Sequence, residues 1–402
     1  MQVQAGPASE PGEMRVGLAE RMIVLFGGLA AALTVMGLAT VLPQIDAALA
    51  HTPIEHTMVK LLGSIAGLAM VAGAPLAGFA VERVGVKRFL LAMCAGYALL
   101  GTAGLWADDL RMLLASRLLL GLFASAITTT AMIIVNSGMT GAVRAKWIGL
   151  HIAVATLCSM ALFPVLGALG EISWRGPFAA YGAAGLVLGG LALLVRGGSG
   201  QAVAAPAAQA TAAAAGWFPT GFALLALVLG GFAVVPAVYT SFLIKAVAAG
   251  SSKTTGLVMM ASSVISATAS FAYGRLARAL DWRTIFIVAF GFYAAAYGTL
   301  ALAHSLPVIA LGAGLSGVGI GWSMANLFSA AAQSCDPAMQ GRVTGVVKGA
   351  QYVAGPLAVV ALEPVAHAFG PQGAFGAVAM VSGLMVIWFA ALATKRGKPA
   401  VA

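Results

Sequence analysis

Long apolar segments recur along the whole chain and are separated by short polar loops. Each is about 20 residues or longer, the length that a helix needs to cross a bilayer, whereas a strand of a transmembrane barrel reads as a shorter alternating segment. The pattern therefore predicts an all-α polytopic membrane protein. The twelve predicted spans cover residues 21–45, 58–81, 87–107, 110–137, 144–169, 176–196, 217–246, 254–278, 282–303, 307–333, 340–366 and 372–394.

One connecting segment differs from the other loops. It lies between the sixth and seventh spans, is rich in glycine and alanine, and carries no charged residue. Such a composition predicts a flexible tether, so the chain divides into two six-helix bundles. The predicted domains are a cytoplasmic tail (1–20), a first bundle (21–196), a cytoplasmic linker (197–216), a second bundle (217–395) and a cytoplasmic tail (396–402).

Lysine and arginine collect in alternate loops, which become the cytoplasmic loops when the N-terminus is inside. Both termini are therefore expected in the cytoplasm. The first twenty residues lack the apolar core of a cleaved signal peptide. Short loops in a compact chain favour a bacterial inner membrane. Membrane topology also explains the net charge of +10 better than a nucleic-acid partner does, because the basic residues are spread singly between apolar segments.

The composition excludes an ordinary soluble protein, since 61% of the residues are hydrophobic and 8% are charged, against about 25% charged in soluble domains. Cys94, Cys158 and Cys335 lie in or at the end of apolar segments and imply neither a disulfide framework nor a metal site. No nucleophile with a nearby base and no nucleotide loop is recognisable. The sequence therefore predicts no enzyme and no cofactor, and a membrane-embedded sensor or enzyme is the less favoured alternative.

A charged hinge between two apolar segments occurs twice. GFAVERVGVKR begins at Gly78, and GRLARALDWRT begins 196 residues later at Gly274. Gly121 and Gly317 keep the same spacing. A parallel repeat of this kind predicts two pseudo-symmetric halves related by an axis along the membrane normal, one of the arrangements that transporters use.

The first hinge resembles the loop between the second and third helices of the major facilitator superfamily, G-x-x-x-[DE]-R-x-G-x-[KR]-[KR]. It departs from the commonest form by having Glu82 for aspartate and Val86 for arginine. The resemblance implies the twelve-helix fold of that superfamily and a cytoplasmic gate. The alternative is that the basic residues only anchor the topology. The gate residues are Gly78, Glu82, Arg83, Gly85, Lys87, Arg88, Arg278, Asp281, Asp336 and Arg342.

Two further segments resemble proton-linked drug exporters of the same superfamily. RLLLGLFASA, from Arg117, is similar to their R-x-x-x-G segment, and FPVLGALGEISWRGPF, from Phe163, is similar to their G-x-x-x-G-P-x-x-G-G segment. The glycine expected before Pro164 is Phe163, which weakens an antiport assignment. The resemblance implies a role for Arg117 in proton coupling. The alternative is that its guanidinium extends to the outer surface.

Few ionisable side chains lie within the predicted spans, and each is a candidate functional group. Lys348, with Gln351 beside it, and His151 lie at nearly the same depth, and each either faces the interior or extends to the inner surface. Asp46 and Glu363 lie towards the outer ends of their helices. The proton-coupling candidates are Arg117, His151, Asp46 and Glu363. If Arg117 and Lys348 both line a cavity, its positive charge favours an organic anion.

The resemblance places the substrate cavity between helices one, four, seven and ten. Helical spacing defines a stripe on each that mixes aromatic, small and uncharged polar residues, which suits an amphipathic organic solute better than a sugar. With the two residues of the eleventh span, the cavity residues are Met36, Thr40, Gln44, Arg117, Ser125, Thr128, Tyr239, Trp322, Asn326, Lys348 and Gln351.

The function favoured by the sequence is secondary active transport of a small amphipathic organic solute by alternating access, with proton-coupled antiport and efflux. The alternative is a proton-coupled symporter or exchanger of an organic anion. The expected partners are the solute, protons and the lipid bilayer, and the protein is expected to function as a monomer.

Overall fold

The computed structural model describes residues 16–195, 220–336 and 339–394, so the predicted linker and most of both predicted tails lie outside the described residues. Within these ranges the chain is α-helical and contains no strand. The α helices are α1 (Leu18–Met36), α2 (Leu42–Leu49), α3 (Pro53–Leu62), α4 (Ala66–Val84), α5 (Val86–Gly101), α6 (Leu110–Gly138), α7 (Gly141–Ile172), α8 (Gly176–Leu194), α9 (Thr220–Ala248), α10 (Ser252–Ala279), α11 (Trp282–Ala301), α12 (Leu306–Gln333) and α13 (Gln340–Thr394).

The described helices form twelve membrane spans. Helix α13 has 55 residues, which at 1.5 Å per residue is more than twice the bilayer thickness, and Gly370 breaks it with a φ of 70°. The first span consists of α1 and α2, separated by residues 37–41, and the second consists of α3 and α4, separated by residues 63–65. The prediction of twelve spans is confirmed, whereas the breaks in the first two spans were not predicted.

Successive spans run in opposite directions, so their ends fall on two faces. One, the linker face, holds the end of α8, the start of α9 and the turn at Gly85 between α4 and α5. The other, the opposite face, holds the turn between α2 and α3 and the break at Gly370.

Two bundles account for most of the helix packing. In the first, α4 and α1 pack against α6, and α5 packs against α8. In the second, α13 packs against α9 and α11, and α12 packs against α10 and α11. The bundles meet where α7 packs against α10 and where α3 and α4 pack against α13.

Tyrosine hydroxyls bond to backbone carbonyls at the proline of α9 and near the end of α1. Pro236 has no N–H, so the carbonyl of Phe232, four residues earlier, loses its helical partner. The hydroxyl of Tyr297 donates to that carbonyl at 2.5 Å. In the first bundle, Tyr181 donates to the carbonyl of Leu33 at 3.1 Å, close to the end of α1. These bonds connect α1 and α9 to their bundles.

Candidate functional site

The two bundles are closed against each other at the opposite face. The Lys60 ammonium on α3 lies 2.6 and 2.8 Å from the two carboxylate oxygens of Glu363 on α13. Both side chains are largely buried, with 13% and 14% of their surface exposed. A second link joins α7 to α10, where the Glu171 carboxylate accepts a hydrogen bond from the backbone N–H of Lys253 at 3.0 Å.

Glycines allow α7 and α10 to touch at the same face. A Cβ added to Gly167 would lie 2.6 Å from the carbonyl oxygen of Ser252, and one added to Gly256 would collide with the carbonyl oxygen of Phe163. Small residues at helix interfaces permit this backbone approach. The α7–α10 contact therefore combines backbone packing with the Glu171 hydrogen bond, whereas the α3–α13 contact contains an ion pair.

At the linker face, the ends of the same helices are exposed. The exposed ends include residues 82–85 of the α4–α5 turn, 144–146 of α7, 277–279 of α10 and 340–342 of α13. Gly149 on α7 and Gly345 on α13 have no atom within 4 Å of an added Cβ. The bundles are therefore closed against each other at the opposite face, whereas the ends of the same helices at the linker face are exposed; we call the surface between these exposed ends the groove.

The predicted gate residues lie around this opening. Gly85 has a φ of 85°, so the turn that the sequence predicted there does use the conformational freedom of glycine. The Arg83 guanidinium stacks on the Phe79 ring, 3.9 Å from its centroid. Gly78 and Lys87 are half-buried, whereas Glu82, Arg88, Arg278, Asp336 and Arg342 are exposed. Their role as a latch of the closed linker face stays a prediction.

Asp281 has a local structural role in addition to its place at this face. Its carboxylate caps α11 by accepting a hydrogen bond from the backbone N–H of Arg283 at 3.2 Å and another from the hydroxyl of Thr284. The Thr284 hydrogen bond, followed by the Arg283 N–H, holds the pKa of Asp281 below its usual value.

Arg117 lies inside the first bundle, which corrects its predicted place in the cavity. It is fully buried, and its Nη2 donates to the carbonyl of Gly101 at 3.1 Å. Its guanidinium carbon lies 4.3 Å from the ring centroid of Tyr181 and 4.8 Å from that of Phe178, both on α8. Arg117 therefore neither lines the groove nor extends to the surface.

The rest of the predicted stripe on α6 also packs within the bundle. Ser125 donates to the carbonyl of Met70 on α4 at 2.9 Å, and Thr128 lies within 3.3 Å of the carbonyl of Gly27 on α1. These hydroxyls bridge neighbouring helices, as small polar residues do in membranes. The prediction that Ser125 and Thr128 line the cavity is therefore not supported by their contacts.

On α12 the predicted stripe faces α10 and α11. Asn326 donates to the carbonyl of Trp282 at 2.7 Å and accepts from the hydroxyl of Tyr273 at 3.2 Å. Trp322 packs edge-on against Phe292, with 5.3 Å between centroids. Asn326 and Trp322 thus belong to the interior of the second bundle.

A different face of α12 meets Lys348, which is exposed to the groove side of α13. The Lys348 ammonium lies 5.3 Å from the ring centroid of Tyr352 and 5.8 Å from that of Phe328. Gln351 contacts the sulfur of Met324, with 2.9 Å between Nε2 and Sδ. The sequence analysis missed Met324 and Phe328, although their spacing of four residues on one helix was a usable signal.

This cluster lies where α13 approaches the first bundle. An added Cβ on Gly67 of α4 would lie 2.6 Å from the carbonyl oxygen of Tyr352, and one on Gly349 would lie 3.7 Å from Val71. Lys348 therefore lies next to the contact between the bundles. With Tyr352, Phe328 and Gln351 it forms a cluster of one cation, two aromatic rings and one amide.

The remaining candidates occupy three different places. His151 is buried in the first bundle, with its Nδ1 2.5 Å from the carbonyl of Val24 on α1. Asp46 pairs with His56 at 2.8 Å, within the same bundle. Met36 is 37% exposed at the end of α1. His151 therefore serves as a link between helices in this conformation.

Several buried polar atoms have no hydrogen-bond partner, and they lie on the first span, on α9, on Arg117 and on Trp322. Among the described residues they include the hydroxyls of Thr40 and Tyr239 and the amide oxygen of Gln44. Tyr239 also borders a small cavity of about 130 Å³ at the opposite face, together with Asp46, His56 and Lys60. A partly charged cavity therefore lies directly beside the Lys60–Glu363 pair.

The fold and the groove define a polytopic membrane protein built from two six-helix bundles. The sequence matches the family model described as Major Facilitator Superfamily over residues 24–359. The chain therefore belongs to the major facilitator superfamily, as the α4–α5 hinge suggested. A search of curated proteins finds no match.

Solved structures of transporters share the fold. The chain is similar to the nucleoside transporter NupG, with a TM-score of 0.73 and 14% identity, over 96% of this chain and 100% of that one. It is also similar to a D-xylose-proton symporter, with a TM-score of 0.73 and 13% identity, over 92% and 97%. For the inward-open xylose transporter XylE from E. coli the TM-score is 0.67 at 13% identity, over 92% and 95%. At these identities the likeness concerns the fold, and the family indicates a transporter.

Proposed function

We propose that the protein is a proton-coupled secondary active transporter that moves a small amphipathic organic solute by alternating access. The observation that carries the proposal is the distribution of contacts between the bundles, which close the opposite face and leave a groove at the linker face. Two bundles that rock around a central groove are the basis of alternating access in such transporters. The similarity to a D-xylose-proton symporter supports proton coupling.

The linker face is proposed to be cytoplasmic, with the protein acting as a monomer in a bacterial inner membrane. The excess of lysine and arginine in the loops of that face supports this orientation. In this orientation the structure is the state that is open to the cytoplasm.

A carboxylate on the solute fits the groove best. Lys348 supplies a positive charge on the groove side of α13, and Tyr352 and Phe328 offer aromatic surface to an apolar body. Arg117 adds no charge to the groove, because it is buried in the first bundle.

Export by proton antiport is the second candidate. It is supported by the exporter-like segments on α6 and α7, where Pro164 lies inside a 32-residue helix. Arg117 would then act through the packing of α5, α6 and α8, because it does not line the groove.

The test is transport by purified protein in proteoliposomes. A panel of aromatic and aliphatic carboxylates, each paired with its uncharged amide, is assayed by uptake and by the change in internal pH. The Lys348→Met variant should lower the rate of carboxylate transport at least about tenfold, the effect of losing about 1.4 kcal/mol, and leave the amides nearly unchanged. Lys146→Met, an exposed lysine at the linker face, is the matched control.

An imposed pH gradient separates the two candidates. In symport the solute moves in the direction of the protons, and in antiport it moves against them. Equal transport of carboxylates by the wild type and the Lys348→Met variant would contradict the carboxylate assignment, and no solute flux in any direction would contradict the transport function.

A further inference from the structure

The two sides of α10 differ in what they contact. Towards α12, the Ser262 hydroxyl donates to the carbonyl of Ala313 at 2.7 Å, and the Ser270 hydroxyl donates to the carbonyl of Gly321 at 3.2 Å. Phe271 follows Ser262 by nine residues, which is two and a half turns of a helix, so it lies on the side turned away from α12. It is 87% exposed. This side of α10 is therefore the outward side.

An apolar stripe runs along the outward side and ends in arginines. Leu257, Val264 and Phe271 recur every seven residues, and the first two are 45% and 43% exposed. Seven residues are close to two turns, so the next position of the stripe is Arg278, and Arg275 lies one turn before it. Both arginines are exposed. The stripe is thus apolar along its length and basic at the linker face, which matches the acyl chains and headgroups of one bilayer leaflet.

The turn that follows α10 adds a third arginine. Arg283 lies in the first turn of α11, and its guanidinium carbon is 4.8 Å from the ring centroid of Trp282. Tryptophan is enriched at the depth of lipid headgroups, which agrees with a turn at the membrane surface. Three arginines therefore lie within the nine residues 275–283.

No carboxylate forms an ion pair with these arginines in the part of the chain that the structure describes, since its ion pairs involve other side chains. Asp281 lies in the same turn, but its carboxylate caps α11 by accepting from the backbone N–H of Arg283 and from the hydroxyl of Thr284. Asp336 follows the neighbouring α12 and is exposed. With three arginines and one aspartate, residues 275–283 carry a net charge of +2.

The pseudo-equivalent turn of the first bundle lacks this arrangement. The 196-residue spacing of the repeat places Phe79 in the position of Arg275 and Glu82 in the position of Arg278. The orientation rule counts basic residues in loops and does not require them on one side of a helix. The arginines at the end of the α10 stripe are therefore a feature of the second bundle and not a general consequence of topology.

We propose that the outward side of α10 and the adjoining turn bind one anionic phospholipid of the leaflet at the linker face. Arg275, Arg278 and Arg283 donate to its phosphate, whose oxygens suit the planar guanidinium, and an acyl chain lies along Phe271 and Val264. A zwitterionic lipid has the same phosphate but carries its own positive charge, so the net charge of the turn favours an anionic headgroup.

This inference goes beyond the proposed function and does not depend on it. The apolar stripe that continues from the arginines assigns them to a lipid and not to a soluble anion. Arg278, a predicted gate residue, contacts lipid in this conformation under the proposal.

The test measures lipid selectivity at one position of the full chain in vesicles. Gly274 precedes Arg275, and an added Cβ there would meet no atom within 4 Å. Gly274→Cys carries a fluorophore in protein whose three native cysteines are changed to alanine. Brominated phosphatidylglycerol and brominated phosphatidylcholine each quench the fluorophore, and the quenching curves give their relative binding constant. Phosphatidylglycerol should be preferred at least about fivefold, the effect of about 1 kcal/mol from one arginine near an anionic surface.

Three variants assign the preference to the arginines. Exchange of all three for glutamine should make the two lipids equal, whereas exchange of all three for lysine should keep most of the preference and show that the altered turn still folds. Arg342→Gln, at the exposed start of α13 on the same face, is the matched control and should keep the preference of the parent.

Equal quenching by the two lipids in the labelled parent would overturn the proposal, as would a preference that persists in the glutamine variant. An equal loss in Arg342→Gln would also overturn it, because the general charge of the linker face would then explain the preference. Removal of the preference by an excess of inorganic phosphate would assign the arginines to a soluble anion instead of a lipid.

Discussion

Polar side chains in the spans of this protein mostly bond to backbone carbonyls, either three or four residues earlier in their own helix or on a neighbouring helix. In hydrocarbon a hydroxyl or amide needs a partner, and the nearest acceptors are carbonyls. Ser125, Thr128 and Asn326 all follow this rule, each by contacting a carbonyl of another helix. Polar residues in the spans therefore mark bundle packing more often than solute contacts.

The bond from Tyr297 to the carbonyl that Pro236 leaves free provides a test at this scale. Tyr297→Phe should lower the free energy of unfolding by about 0.5–2 kcal/mol, since it leaves a buried carbonyl unpaired. In a Pro236→Ala background the residue at 236 regains an N–H that can reach the Phe232 carbonyl, so the same change should cost much less. Reversible unfolding in mixed micelles measures both values.

The double-mutant cycle controls for the loss of the tyrosine itself, because the same hydroxyl is removed in both backgrounds. An equal cost of Tyr297→Phe with proline and with alanine at 236 would show that the bond does not compensate for the proline.

At the scale of helices, the sequence predicted which segments span the membrane more reliably than which side of each helix faces the cavity. Length and apolarity determine a span, and twelve were predicted. The face that a helix turns inward depends on a contrast between its sides, which is small in a helix that is apolar all round. The stripe with Trp322 and Asn326 was therefore placed in the cavity, whereas Met324 and Phe328 meet Lys348.

The breaks in the first two spans were missed for a related reason. Residues 37–41 contain one glycine and no proline, so local propensity gives little warning of an interruption. The signs of the interruption are contacts with another helix. An added Cβ on Gly37 would collide with the Tyr181 hydroxyl, which already bonds to the carbonyl of Leu33. Such contacts lie 148 residues apart in sequence.

The α7–α10 junction gives a prediction at the same scale. Gly167→Ala should prevent full closure of the opposite face, because its Cβ would lie 2.6 Å from the carbonyl oxygen of Ser252. Spin labels at Ile54 and Phe369, two exposed residues of the opposite face, should then show a larger population of long distances. Gly149→Ala, on the same helix with no atom within 4 Å of the added Cβ, should leave the distances unchanged. Closure that is unaffected by Gly167→Ala would show that the glycine contact is not needed.

At the scale of the molecule, the repeat predicted two related bundles, and the structure shows where they differ. The 196-residue spacing was visible in the sequence, but the meeting of Lys60 with Glu363 was not, because the two lie 303 residues apart and on different bundles. Which face is closed is likewise a property of the contact between bundles. Both the Lys60–Glu363 contact and the identity of the closed face are visible only in the structure.

The central claim is that the bundles rock so that the groove opens to one face at a time. The most direct test measures distances between spin labels at both faces in the same preparation. One pair of labels replaces Ile54 and Phe369 of the opposite face, and a second pair replaces the exposed residues Val84 and Arg278 of the linker face. The account predicts reciprocal shifts: when a transported solute or an imposed pH gradient lengthens the first distance, the second shortens by a similar change in population. Distances that lengthen together, or a linker face that stays open while the opposite face opens, would contradict it.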